Sequence, residues 1–234
     1  MKPTLTLMLG LVCLLMANDE IHQKIQVTTA EHADLPVGGA VRLKTSTGEL
    51  RIEGWDQPGV EITTIKSTKL AYPAAGADRD KASHMLDEVK VSVARDGNDV
   101  VIGTVYPRHR RFLPGPSVGD RDFNLEYVVK VPRNAKLVVD HDAGEIHFDD
   151  VAGDIHATMN EGTITLRLPA AGNYSIDADS RIGAVTSDFP GTTTRRHFGH
   201  AFLQAAQATH NLYLRTGYGD IIILRTHDHP ALSQ

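Results

Sequence analysis

The chain has 234 residues, a formal charge of −5 and a pI near 6.2, with 41% hydrophobic and 23% charged residues. That balance suits a folded chain and argues against disorder. The charges are mixed along the sequence, so it lacks the concentrated basic face that a nucleic acid partner needs. The length admits one large all-β domain or two small units.

The first residues read as a secretory signal over 1–17. Met1-Lys2 supplies a positive charge, Leu5 to Ala17 is almost wholly apolar, and Asn18-Asp19-Glu20 is polar. The apolar run is shorter than the ~20 residues of a spanning helix, so no stable membrane span is expected after cleavage at Ala17. Cys13, the one cysteine, lies inside this run. Val12 stands where a lipoprotein signal wants a small residue, which disfavours lipid attachment. A chain cleaved after Ala17 has no cysteine, so disulfides and thiolate metal sites drop out.

Residues 18–40 read as a linker or edge segment, and from Val41 strand signals dominate. Leu50 and Ile52 alternate with Arg51 and Glu53, Val60 and Ile62 with Glu61 and Thr63, and Val89, Val91 and Val93 with Lys90 and Ser92. Leu125, Tyr127, Val129 and Val131 continue the pattern. A period of two is that of a strand with one buried face. Asp56-Gln57-Pro58-Gly59, Asp96-Gly97-Asn98 and Pro132-Arg133-Asn134 are turn signals, the second of them a hairpin. Ala77 to Glu88 predicts one short helix, because Ala82, Met85, Leu86 and Val89 fall at helical spacing. It belongs to an excursion over 70–88. A second excursion, 107–122, is proline-rich and carries Arg108-His109-Arg110-Arg111, read as a solvated surface loop.

The strongest pattern begins at Gly144. Gly144-Glu145-Ile146-His147-Phe148, Gly153-Asp154-Ile155-His156-Ala157 and Gly162-Thr163-Ile164-Thr165-Leu166 start nine residues apart. The spacing predicts Ile146, Ile155 and Ile164 in one stacked column and Phe148, Ala157 and Leu166 in a second. Short-period self-similarity of this kind marks units that bury their apolar face only against neighbours. Weaker copies stand at Gly48, Gly183 and Gly219. The expected fold is therefore all-β: a β-solenoid or parallel β-helix-like stack of short strands with a longer-stranded N-terminal portion. An antiparallel β-sandwich is the alternative, because nine residues also fit a strand plus a turn. The β domain is expected over 41–224, with a tail over 225–234.

Three stretches together resemble the putative adhesin family of exported bacterial domains. They are Thr47-Gly48-Glu49-Leu50-Arg51-Ile52-Glu53-Gly54-Trp55-Asp56, then Tyr127 to Pro132 leading through Leu137-Val138-Val139 into the glycine units, and Leu212 to Ile221. The resemblance implies a β-solenoid, an envelope or secreted location, and no catalytic residues to carry over. Thr192 to Ala208 departs from the strand repeat.

Twelve histidines raise the question of a metal. His147 and His156 hold equivalent places in successive units, so the nine-residue reading stacks them one rung apart. A third ligand is missing, since Thr165 follows in that column. The two are kept as candidate ligand-binding residues, and no catalytic, cofactor or metal residue is assigned. His197 and His200 read as a loop pair, and His227-Asp228-His229 as a solvated tail. Glu145, Asp154 and Asp149-Asp150 are the carboxylates that an exterior-groove enzyme could use. No nucleophile elbow, phosphate loop or zinc helix accompanies them.

The expected role is a non-catalytic exported module, periplasmic, cell-surface or secreted, that binds an envelope or surface protein or a glycan. No cofactor and no nucleic acid partner is expected. The alternatives are a carbohydrate-active enzyme with an exterior groove, and a structural envelope protein that self-associates through its terminal rungs.

Overall fold

A computed structural model describes residues 22–105, 123–204 and 208–226. The readings of the signal over 1–17, Cys13, Arg108 to Arg111 and His227 to His229 fall outside those residues. The chain is all-β with one short helix, and its mixed 14-stranded sheet does not close. In chain order the elements are β1 (Gln26–Ala33), β2 (Ala40–Trp55), β3 (Val60–Thr68), α1 (Ala77–Glu88), β4 (Lys90–Asp96), β5 (Asp99–Val105) and β6 (Phe123–Pro132). They continue with β7 (Lys136–Asp149), β8 (Ile155–Pro169), β9 (Tyr174–Ile182), β10 (Val185–Ser187), β11 (Thr192–Arg195), β12 (His200–Gln204), β13 (His210–Tyr218) and β14 (Ile221–Thr226).

The middle of the molecule is built by three long parallel strands, β2, β7 and β8, in register along nearly their whole length. Each bends at a glycine. In β7, Leu137, Val139 and His141 are buried ahead of Gly144, and Ile146 and Phe148 are buried after it. The buried set changes from odd to even positions at the bend. A straight strand would send the second set to the opposite face. The left-handed backbone at Gly144 (φ 128°) turns the chain so that both halves face one core.

The same bend recurs on the layers stacked from β2 onward. Gly48 pairs with Gly144, and Gly144 with Gly162. A Cβ on Gly144 would collide with the Gly48 carbonyl, one on Gly162 with Gly144, one on Gly219 with Gly162, and one on Gly183 with Gly219. A stack this tight excludes any side chain, so glycine is required for space as well as for φ.

Register corrects the nine-residue columns. Ile146 pairs with Ile164, whereas Ile155 pairs with Leu137. Likewise Phe148 pairs with Leu166, and Ala157 with Val139. The step from β7 to β8 is therefore 18 residues, two strand segments joined at a glycine bend, and successive nine-residue units belong to different halves. Gly153 is not in the glycine column. It lies in the turn between β7 and β8, where a Cβ would strike the Ala135 carbonyl. The core runs between the halves as aliphatic ladders. One is Leu50, Ile146, Ile164 and Ile221, and the facing one is Val41, Leu137, Ile155, Leu212 and Ile176. All nine are at most 1% exposed.

A histidine is buried beside the bend. The neutral His141 ring accepts from the Thr45 hydroxyl at Nδ1 (2.7 Å) and donates from Nε2 to the Gly48 carbonyl (3.2 Å). Burial holds its pKa below the ordinary histidine value, against the opposing pull of the Gly48 carbonyl.

The flanks are built differently. β3 joins β6 and β1 joins β3, both antiparallel, so the segment over 18–40, read as a linker or edge segment, contains an edge strand. β4 and β5 form the expected hairpin through Gly97 (φ 61°). The helix has the expected bounds and buries Ala82 and Leu86. Its last turn has no basic residue of its own. Lys66 of β3 takes that part, donating from Nζ to the Leu86 carbonyl (2.9 Å) and the Val89 carbonyl (3.0 Å). A buried ammonium there satisfies carbonyls that the helix end leaves open and complements its dipole. At the far end β9 receives the antiparallel pair β12 and β11, where the sequence leaves its repeat.

Candidate functional site

Two polar outer surfaces cover the sheet, and the 18-residue step assigns His147 to one and His156 to the other. His147 pairs with Arg51 and Thr165, and His156 with Val138 and Tyr213. The expected one-rung stack of the two imidazoles does not form, because nine residues is half that step. Among the described residues, no three His, Cys, Asp or Glu side chains gather as a metal site.

On the His147 surface, charges pair both along and between strands. His147 Nε2 lies 3.0 Å from a Glu145 carboxylate oxygen, and Arg51 donates to Glu49 at 2.9 Å. Arg167 reaches Asp149 at 2.8 Å, and Lys130 reaches Glu61 at 2.7 Å. In each of the first two pairs the base stands two residues after its acid. The pairing of Glu49 with Glu145 therefore places like charges side by side while each keeps a partner of its own, Arg51 and His147. A depression of about 290 Å³ lies here, lined by Glu49, Arg51, Glu53, Glu126, Tyr127 and Val128.

The carboxylates read as enzyme candidates have structural partners. Asp150 pairs with Arg133, and Asp154 accepts from the Asn211 backbone N–H at 2.8 Å. Asp154 thus ties the start of β13 to the turn before β8.

The other surface carries the more organised cluster. Along β13, Leu212 and Leu214 point to the core and Tyr213 and Arg215 point out. Tyr213 stacks on His156 of β8, with centroids 4.4 Å apart and planes 14° from parallel. The Arg215 guanidinium lies over the Tyr213 ring at 3.8 Å. Arg215 is anchored to β9, donating to the Asp177 carbonyl (2.9 Å) and to its carboxylate (2.8 Å). Imidazole, phenol and guanidinium thus form three layers from two strands, β8 and β13, and Asp177 of β9 fixes the last. Stacking of this kind adds about 0.5–1.5 kcal/mol per aromatic contact beyond burial.

The cluster belongs to a longer row. Val138, His156, Tyr213, Asp177 and Leu203 face each other across β7, β8, β13, β9 and β12. Five strands at their usual spacing span roughly 19 Å. Tyr213 is 37% exposed and Leu203 53%, so the row ends in uncovered apolar surface. Beside it Arg196 pairs with Asp179 at 2.5 Å. His200, read from sequence as one of a loop pair, has its Nδ1 2.9 Å from the Gly183 carbonyl and so braces the last glycine bend. His197 instead meets Phe198 edge-on at 6.1 Å.

Sequence reading placed one member of this cluster, His156, among its candidates. It missed Tyr213, Arg215 and Asp177 as a site. The alternation Leu212-Tyr213-Leu214-Arg215 does signal that Tyr213 and Arg215 face outward. Nothing local signals that β13 inserts between β8 and β9.

No family model matches the chain, and no curated protein matches it. Among solved structures, it is similar to a putative cell adhesion protein from Clostridium sporogenes, with 13% identity and a TM-score of 0.49 over 86% of this chain and 100% of that one. It is also similar to a putative adhesin from Parabacteroides distasonis, with 11% identity and a TM-score of 0.25 over 84% and 70% of the two chains. A putative lipid binding protein from the same organism gives 7% identity and a TM-score of 0.27 over 88% and 97%. Among the described residues no helix is long and apolar enough to cross a membrane.

Proposed function

We propose that this chain is a non-catalytic interaction module, exported to the cell envelope or surface, whose 41–224 region is a two-faced β-solenoid. Its binding surface is the outer row centred on Tyr213, and its ligand is a surface protein or a glycan. The observation that carries this reading is the His156–Tyr213–Arg215–Asp177 stack. Tyrosine and arginine dominate the energetics of protein recognition surfaces, and here both are held in place before any ligand arrives. Anchoring against a rigid ladder lowers the ordering cost of binding. The charged, apolar and polar order of residues 1–20 supports export. For the enzyme alternative, the candidate acids Glu145, Asp149, Asp150 and Asp154 each have a structural partner, which favours a supporting role.

The test is an array of surface glycans and envelope proteins probed with purified protein and with Tyr213→Ser. The reading expects at least one ligand whose binding falls about tenfold or more in the variant, in line with a hot-spot side chain. The same preparation is incubated with polysaccharides and assayed for new reducing ends. Turnover that Glu145→Gln abolishes, with folding intact, overturns the non-catalytic reading.

A further inference from the structure

The pairing order of the sheet ends on β1. Its hydrogen-bonding sides follow from one contact: the Thr68 N–H donates to the Ile25 carbonyl at 2.9 Å, so Ile25 and Thr68 form a hydrogen-bonded pair. Such pairs alternate in an antiparallel ladder. Val27, Thr29, Glu31 and Ala33 therefore turn their backbone groups to β3. Gln26, Thr28, Ala30 and His32 turn theirs to the free edge. Among the described residues no strand pairs with that edge.

The other terminal strands are protected in ways that β1 is not. At the far end β10 has three residues and β11 four, too short to recruit a partner strand. β4, the other edge at the near end, carries Lys90, Arg95 and Asp96. β1 has eight residues, no proline, and Glu31 as its one acid, with Val27 and Ala33 packed on the core. Side chains on the outward-bonding residues are Gln, Thr, Ala and His, with neither lysine nor proline among them to block a partner strand.

We propose that β1 is a pairing edge whose occupant is β1 of a second copy of this chain, joined antiparallel about a two-fold axis. Pairing Gln26 with His32 and Thr28 with Ala30 of the other copy satisfies all four outward donors and acceptors on each strand. In that register Glu31 lies opposite Val27, so no like charges meet. The arrangement is isologous and closes as a dimer, joining two sheets into one.

Ala30→Pro tests this cleanly. It deletes an N–H that faces the free edge and leaves every β1–β3 hydrogen bond in place, as proline on an edge strand allows. Thr28→Lys with Ala30→Lys is the second variant, which keeps the backbone and sets like charges opposite one another across the axis. Sedimentation velocity of the full chain at rising concentration reads the result. A dimer in the parent and a monomer in both variants, with unchanged circular dichroism and melting, is expected. A monomeric parent, a dimer that survives both variants, or open-ended polymers overturn the proposal. Retention of the dimer on Tyr213→Ser separates this edge from the ligand row.

Discussion

The middle layers and the near flank meet the same demand, burial of one apolar strand face, by opposite means. In the middle, β2, β7 and β8 stack parallel and repeat one bend, so Gly48, Gly144 and Gly162 touch backbone to backbone and every isoleucine meets an aliphatic neighbour. On the near flank the strands β1, β3 and β6 run antiparallel, and a single helix with a borrowed lysine covers the exposed apolar surface. A repeat can propagate with one solution per layer, whereas an end needs a solution of its own. The contrast predicts that a glycine matters by its place in the stack and not by its φ alone.

The largest effect is expected in the column. Gly162→Ala combines a left-handed backbone with a collision against the Gly144 carbonyl and should cost about 3 kcal/mol or more, read by urea unfolding. Loss below about 1 kcal/mol would remove the basis for treating the column as the spine. Next, on the flank, Lys66→Met leaves the Leu86 and Val89 carbonyls unsatisfied. About 2 kcal/mol and a weaker helical signal in circular dichroism should follow.

A smaller effect concerns His141. Its folded pKa is lowered, so the unfolded chain binds more protons as pH falls. The contribution is present in full above the unfolded value of about 6.5 and is lost progressively below it. Melting temperature should fall between pH 7.5 and 5.5, and the slope should flatten in His141→Gln. Equal slopes in the two proteins would show that His141 stays out of the acid response. Smallest is Gly97→Ala in the β4–β5 turn. Its φ is also positive, but nothing lies within 4 Å of a Cβ there, so only about 1 kcal/mol is expected. A loss equal to that of Gly162→Ala would erase the contrast between middle and flank.

Sequence made part of this plain. Period-two alternation marked the core faces of Leu50 and Ile52 and of Leu125 to Val131, and helical spacing marked Ala77 to Glu88. The 18-residue step was hidden by its own halves. Gly144 and Gly153 both head a Gly-polar-Ile-polar-apolar unit, yet strand residues Asp142-Ala143 precede the first and a turn precedes the second. Only that difference separates a bend from a turn. The candidate site was less legible. His156 and Tyr213 stand far apart in the chain and meet because β13 inserts between β8 and β9, a pairing that no local pattern encodes.

Native-state amide exchange measures the contrast most directly. Amides of Ile146, Ile164 and Leu214 should exchange slowest and with one shared opening free energy, that of global unfolding, while those of β1 and β11 exchange through local opening. Exchange in β8 as fast as in β11, or unequal opening energies at Ile146 and Ile164, would contradict a single cooperative stack locked by its glycines.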